Sequence, residues 1–185
     1  ISPEIIIEEL ESVVKNSTVK TEEIDFQKLK MSELIEYIEN KHHVYLRETL
    51  PMLSEYTNAI LNAHGTGHME LFDLHRNFNL LRSELERHLV KEEKILFPMI
   101  IEYELDGNKD LLKKIMKSIK ELDGEHVGAG DVLKEMRSLT NEYKVPDDGC
   151  VTYHITFEKL KEMEYDIFDH IHLENNIIFK KMENE

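Results

Sequence analysis

The stretch His88-Leu-Val-Lys-Glu92-Glu-Lys-Ile-Leu-Phe-Pro98 recurs 82 residues later as His170-Ile-His-Leu-Glu174-Asn-Asn-Ile-Ile-Phe-Lys180. The shared skeleton is H-x-x-x-E-x-x-I-[LI]-F. Residues four apart on a helix lie on one face about a turn from each other, so each copy aims an imidazole and a carboxylate at one point. The two copies read as two halves of one site.

Helical patterning extends outward from both copies. One pattern opens near Ser32, an N-cap candidate with Glu33 and Glu36 in its first turn, and runs to about Ala63; Pro51 falls inside it and is expected to kink it. The second runs from about His68 to Glu104, the third from Lys109 to Tyr143, and the fourth from Cys150 to Met182. His64-Gly-Thr-Gly, Asp106-Gly-Asn and Val145-Pro-Asp-Asp-Gly149 punctuate them. Alternating strand-like runs are nearly absent. Four long helices joined by short turns predict an all-α, antiparallel up-down-up-down four-helix bundle. Ser2-Pro3 and the apolar spacing of Ile6, Ile7, Leu10, Val13 and Val14 predict a short N-terminal helix over 3–15. Residues 1–30 are thus a short helix and linker, and 31–185 the bundle. The chain opens at Ile1 without an initiator Met and is expected to be processed or a piece of something longer.

The first and third helices repeat as well. At +3, +7, +10 and +14 from His43 stand Leu46, Leu50, Leu53 and Thr57; from His126 they are Ala129, Leu133, Met136 and Thr140. Both histidines lead an apolar, core-facing stripe, and their separation of 83 residues agrees with the 82 between His88 and His170. The chain reads as a duplicated helical hairpin. His43 is preferred to His42, which shares a stripe with Tyr45 and Met52.

A lone His on an apolar face is most often a core histidine with a hydrogen-bond partner. Glu92 and Glu174 on buried faces change the reading, because unpaired buried carboxylates cost several kcal/mol each unless cations neutralise them. Four His and two Glu exceed what one structural zinc takes and lack the all-oxygen shell of calcium or magnesium. They suit two ions, each with two His, bridged by both carboxylates and keeping open positions; non-haem iron fits best, with manganese the alternative. Glu39, Glu84 and Asp166 stand one turn before His43, His88 and His170, and Asp123 three residues before His126, placed to accept the second imidazole N–H. Glu84 and Glu125 are also placed to line an inner path to the metals. His64, His68, His75, His154 and His172 are read as lying outside the site, with His64 about six turns from His43 and able to join only if the helix broke between them.

Composition narrows the class. With 23 Lys and Arg against 38 Asp and Glu, the formal charge of −15 repels nucleic acid. The single Cys150 excludes an internal disulfide or an iron-sulfur cluster held by this chain alone, and suits a reducing compartment. No run of about twenty apolar residues and no secretory leader occurs, so a cytoplasmic location is expected and a membrane is not. No nucleotide-binding Gly loop or G-x-S-x-G elbow is present; Gly128-Ala-Gly130 follows no strand and reads as close packing or room beside a site.

The run from His42 to Pro51, the block Glu84-Leu-x-x-His88-x-x-Lys-Glu92-Glu-x-Ile-Leu-Phe-Pro98, Glu125-His126-x-x-Ala-Gly130 and His170-Ile-x-Leu-Glu174-Asn-Asn resemble the hemerythrin-like iron-sulfur cluster repair di-iron proteins. The resemblance covers about residues 31–182. It implies a non-haem di-iron centre, two iron ions bridged by oxo and carboxylate groups, with His43, His88, His126 and His170 as terminal ligands and Glu92 and Glu174 as bridges. It implies repair of clusters damaged by nitric oxide or oxidants, by iron donation or nitric oxide reduction at the centre. Damaged iron-sulfur proteins would be the partners, nitric oxide or oxygen the small ligands, and a homodimer is compatible with it. An oxygen or nitric oxide sensor or carrier is the alternative within hemerythrin-like domains. Two features depart from the family: the N-terminal cysteine pair of full-length relatives is absent from this chain, and Lys180 stands where relatives often have Pro.

Overall fold

The computed structural model describes residues 24–185; the expected helix over 3–15 lies outside the described residues. Four antiparallel rods make up the described part. The first is α1 (Met31–Ile38), a π-helical turn (Glu39–His43) and α2 (Val44–His64). The second is α3 (Glu70–Lys91), a π turn (Glu92–Leu96) and α4 (Phe97–Asp106). The third is the single helix α5 (Lys109–Leu139), and the fourth is α6 (Val151–Leu173), a π turn (Glu174–Ile178) and the short α7 (Phe179–Glu183). The first rod packs on the second and fourth, the second on the third, and the third on the end of the fourth, closing the ring.

Buried positions explain why only α5 is uninterrupted. Its inward residues Ile115, Ile119, Leu122, His126, Ala129, Leu133 and Met136 alternate steps of four and three, which holds one stripe on a regular helix. The second rod instead buries His88, Glu92, Leu96 and Ile100, and the fourth His170, Glu174, Ile178 and Met182. Three successive steps of four would drift round an α-helix by about a third of a turn. A π turn at Glu92 and at Glu174 absorbs that drift, and such turns cluster at functional sites.

The rod ends carry their own signals. Gly107 closes α4 in the left-handed conformation with φ 64°, and Asn108 caps α5 by accepting N–H bonds from Asp110 at 2.9 Å and Leu111 at 3.3 Å. The predicted cap at Ser32 is replaced: Lys30 is the N-cap, and Glu104 of the second rod accepts the N–H groups of Met31 at 2.7 Å and Ser32 at 3.2 Å. A carboxylate across the bundle outcompetes a local hydroxyl there. Pro51 lies in α2, which runs unbroken through it; the departure from α geometry is upstream at Glu39–His43. The third helix stops at Leu139, short of Tyr143, because Asn141, Glu142 and Tyr143 turn left-handed (φ 48°, 62° and 55°) while Thr140 Oγ1 bonds the Met136 carbonyl and accepts the Tyr143 N–H.

Two apolar clusters fill the bundle. One gathers Leu46 to Ile60, Leu71 to Leu89, Ala129 to Met136 and Tyr153 to Ile167; the other gathers Met31 to Ile38, Leu96 to Ile100, Ile115 to Leu122 and Leu173 to Met182. Between them lies a layer of buried histidine and glutamate, sealed from water on both sides along the bundle axis.

Candidate metal centre

Each rod contributes to that layer at the level the repeats dictate. The first supplies His43 from its π turn, the second His88 and Glu92, the third His126, and the fourth His170 and Glu174. All six side chains are buried. Their ligand atoms fall into two groups, His43-Glu92-His170-Glu174 and His88-Glu92-His126-Glu174, with the atoms of each group within 4.8 Å of one another.

Both carboxylates span the groups. Glu92 Oε1 lies 3.0 Å from His88 Nε2 and its Oε2 lies 3.4 Å from His43 Nε2. Glu174 Oε2 lies 3.2 Å from His126 Nε2 and its Oε1 lies 3.1 Å from His170 Nε2. The imidazoles meet in pairs: Nε2 to Nε2 is 3.0 Å between His88 and His126 and 3.2 Å between His43 and His170.

The outer ring nitrogens fix the tautomers of three histidines. His43 Nδ1 donates to Glu93 at 2.8 Å, His88 Nδ1 to Glu125 at 2.9 Å and His126 Nδ1 to the Asn175 amide oxygen at 2.9 Å. With the proton on Nδ1, a neutral ring turns a lone pair inward from Nε2. These three rings therefore turn lone pairs toward carboxylate oxygens, and all four oxygens of Glu92 and Glu174 are buried without a hydrogen-bond partner. An array this rich in acceptors is stabilised by positive charge at its centre. The pKa directions agree. Burial by itself depresses His88, but the adjacent carboxylates of Glu92, Glu174 and Glu125 hold it up at about 9. His170 is raised by Glu174 and Glu92 against the same opposition, and Glu174, though burial pushes it up, is held well below the usual carboxylate range by His170 and His126. Protons collect where cations would.

The predicted partners of the ring nitrogens need correction. Glu39 and Glu84 make no hydrogen bond to His43 or His88, and Asp166 bonds His42 Nδ1 at 2.9 Å rather than His170. Asp123 reaches His126 only through Asn175, whose amide nitrogen donates to it at 3.3 Å. The reason is directional. With Nε2 aimed at the bundle axis, Nδ1 faces the seam with the next rod, and the acceptor comes from across that seam. Glu93 and Asn175 each directly follow a glutamate of the centre, so the repeat register was the signal that could have found them. His42, set aside in favour of His43, is also fully buried, its ring stacked on His170 with centroids 5.6 Å apart and planes 9° from parallel. His64 ends α2 far from the layer, 5.3 Å from Tyr153 between ring centroids, because the helix does not break before it. His154 and His172 are exposed, while His75 is partly buried and bonds Thr57.

The geometry is that of a metal site, and known proteins share its sequence. Residues 34–182 match the model of the hemerythrin HHE cation-binding domain. The iron-sulfur cluster repair protein ScdA of Staphylococcus haemolyticus is 29% identical over 158 residues, covering 85% of this chain and 70% of the relative. ScdA of Staphylococcus epidermidis is 31% identical over 157 residues, covering 83% and 67%. The iron-sulfur cluster repair protein YtfE of Escherichia coli O157:H7 is 29% identical over 178 residues, covering 96% and 78%. The chain belongs to the hemerythrin HHE cation-binding domain family.

Proposed function

We propose that this chain is a non-haem di-iron protein that repairs iron-sulfur clusters damaged by nitric oxide or oxidative stress. The observation that carries the metal reading is the buried layer in which four imidazoles and two carboxylates, their oxygens unpaired, converge as two groups sharing both glutamates. His43 and His170 would hold one iron, His88 and His126 the other, with Glu92 and Glu174 bridging. Two His and two shared carboxylate oxygens leave positions open on each ion, which suits redox-active iron better than structural zinc. The names of the ScdA and YtfE relatives support cluster repair as the purpose.

When bound, the pair of irons supplies one-electron chemistry, open positions for nitric oxide or oxygen, and iron that can be given up. The protein's part is positional. Glu93, Glu125 and Asn175 fix three imidazoles by their outer nitrogens, and such partners commonly govern metal affinity. Apolar clusters on both sides keep water from the layer. Because each glutamate faces both groups, its carboxylate would balance positive charge held in either one. Among the described residues no helix is long and apolar enough to cross a membrane, and damaged iron-sulfur proteins are the partners this reading requires.

The test is metal analysis of natively purified protein followed by a repair assay. Two irons per chain are expected, and anaerobically reduced protein should restore activity to a cluster-damaged dehydratase or consume nitric oxide. No effect in either assay overturns the repair reading; reversible oxygen binding without iron transfer would replace it with a carrier.

A further inference from the structure

Three of the four histidines are oriented through their outer nitrogens, and the fourth is not. Resting on the di-iron reading, we propose that His42, anchored by Asp166, is the positioning residue of His170: it holds that ring by its face and so sets how tightly the ion between His43 and His170 is bound.

The duplication marks the position. Offsets of 83 residues for the first and third rods and 82 for the second and fourth pair each residue near the layer with a counterpart. Glu93 and Asn175 are one such pair, and they bond His43 and His126, which are another. Glu125 bonds His88 Nδ1 at 2.9 Å. The counterparts of Glu125 and His88 are His42 and His170. The place from which one half orients His88 is therefore filled, in the other half, by a histidine in contact with His170.

An imidazole at that place acts through its face. Among the described residues the polar contacts of His170 all run through Nε2, to His43, Glu92 and Glu174, so no acceptor at Nδ1 stops the ring from turning about Cβ–Cγ. His42 lies flat against it instead, ring centroids 5.6 Å apart and planes 9° from parallel, within the offset-stacked range that aromatic pairs favour. Rotation of His170 would drive the edge of its ring into that face. The wall is itself held: His42 Nδ1 donates to Asp166 at 2.9 Å, Tyr37 meets the ring edge-on at 6.1 Å between centroids, and the His42 side chain is 1% exposed. His42 belongs to neither donor group, and its Nε2 is buried without a partner, so it acts on the centre through His170. A stack fixes a plane without engaging the N–H. His170 thus lacks the carboxylate that makes His43 and His88 more basic ligands, and its hold on an ion rests on its orientation.

The experiment is anaerobic competition titration of the ferrous-loaded protein against a chelator of known affinity, in the wild type, H42L, H42F and D166A. H42L and H42F lose the Asp166 bond alike and only H42F keeps a flat ring, so the difference between them isolates the stack. H42L should weaken one of the two ions by about 10-fold or more and leave the other unchanged, and H42F should recover most of that loss. D166A should loosen the same ion by less, and it tests the anchor even where H42L does not fold. In crystals of H42L loaded with one ferrous equivalent, anomalous scattering should place the iron between His88 and His126. Equal weakening of both ions, H42F as weak as H42L, D166A unchanged from the wild type, or iron between His43 and His170 in the H42L crystals overturns the inference while leaving the di-iron reading intact. Fewer than two irons per chain in the wild type at saturation overturns both.

Discussion

Glu92 and His88, one helical turn apart, meet at 3.0 Å between Oε1 and Nε2, while the second oxygen of Glu92 turns 3.4 Å from His43. One side chain therefore serves both groups of the centre. Glu92→Gln replaces an oxygen with an amide donor that has no metal to bind, so the variant should hold one metal per chain or none. Elemental analysis after anaerobic loading reads this directly, and two tightly held irons in the variant would remove Glu92 from the ligand set.

Asn175 tests the outer layer. It accepts the His126 Nδ1 proton and passes its own amide proton to Asp123. Asn175→Leu leaves that imidazole N–H unpaired and should weaken metal binding by about 10- to 100-fold, whereas Asn175→Asp keeps the acceptor and most of the affinity. Competition titration against a chelator of known affinity separates the two.

Glu104 tests the cap that the fold substitutes for Ser32. Glu104→Ala frees the first N–H groups of α1 and should lower stability by about 1 kcal/mol. The effect depends on pH. Burial pushes the Glu104 carboxyl up, but hydrogen bonds from Ser32 and the Met31 N–H outweigh it and lower the pKa on folding. A depressed folded pKa gives stabilisation that is present above the unfolded carboxylate value, about 4.3, and is lost as pH falls through the folded value. Thermal melts of the two proteins should differ at neutral pH and converge in acid.

Cys150 tests the opposite end of the bundle. The neighbouring His64 imidazole, then the N–H groups of Tyr153 and Thr152 at the start of α6, lower its thiol to about 7. Thiolate is the reactive form, so alkylation by iodoacetamide should reach half its limiting rate near pH 7. His64→Ala should move that midpoint upward toward the ordinary thiol range. An unchanged midpoint would mean that the helix N-terminus alone sets it.

The sequence by itself determined the architecture and which six residues meet. A repeat of H-x-x-x-E at one offset, with His43 and His126 leading matching apolar stripes, leaves few ways to bury those faces other than a four-helix bundle, because helical periodicity is a local property readable from spacing. The π turns were half legible: three consecutive steps of four at His88-Glu92-Leu96-Ile100 exceed what a straight α-helix keeps on one face. What only the tertiary structure decided is what lies across each seam. Glu93, Glu125 and Asn175 orient histidines that sit on other rods, Glu104 caps a helix 72 to 73 residues away, and His42 is buried against His170 on the fourth rod. Such contacts depend on how neighbouring helices are rotated and set in height, and spacing along one helix carries no record of either.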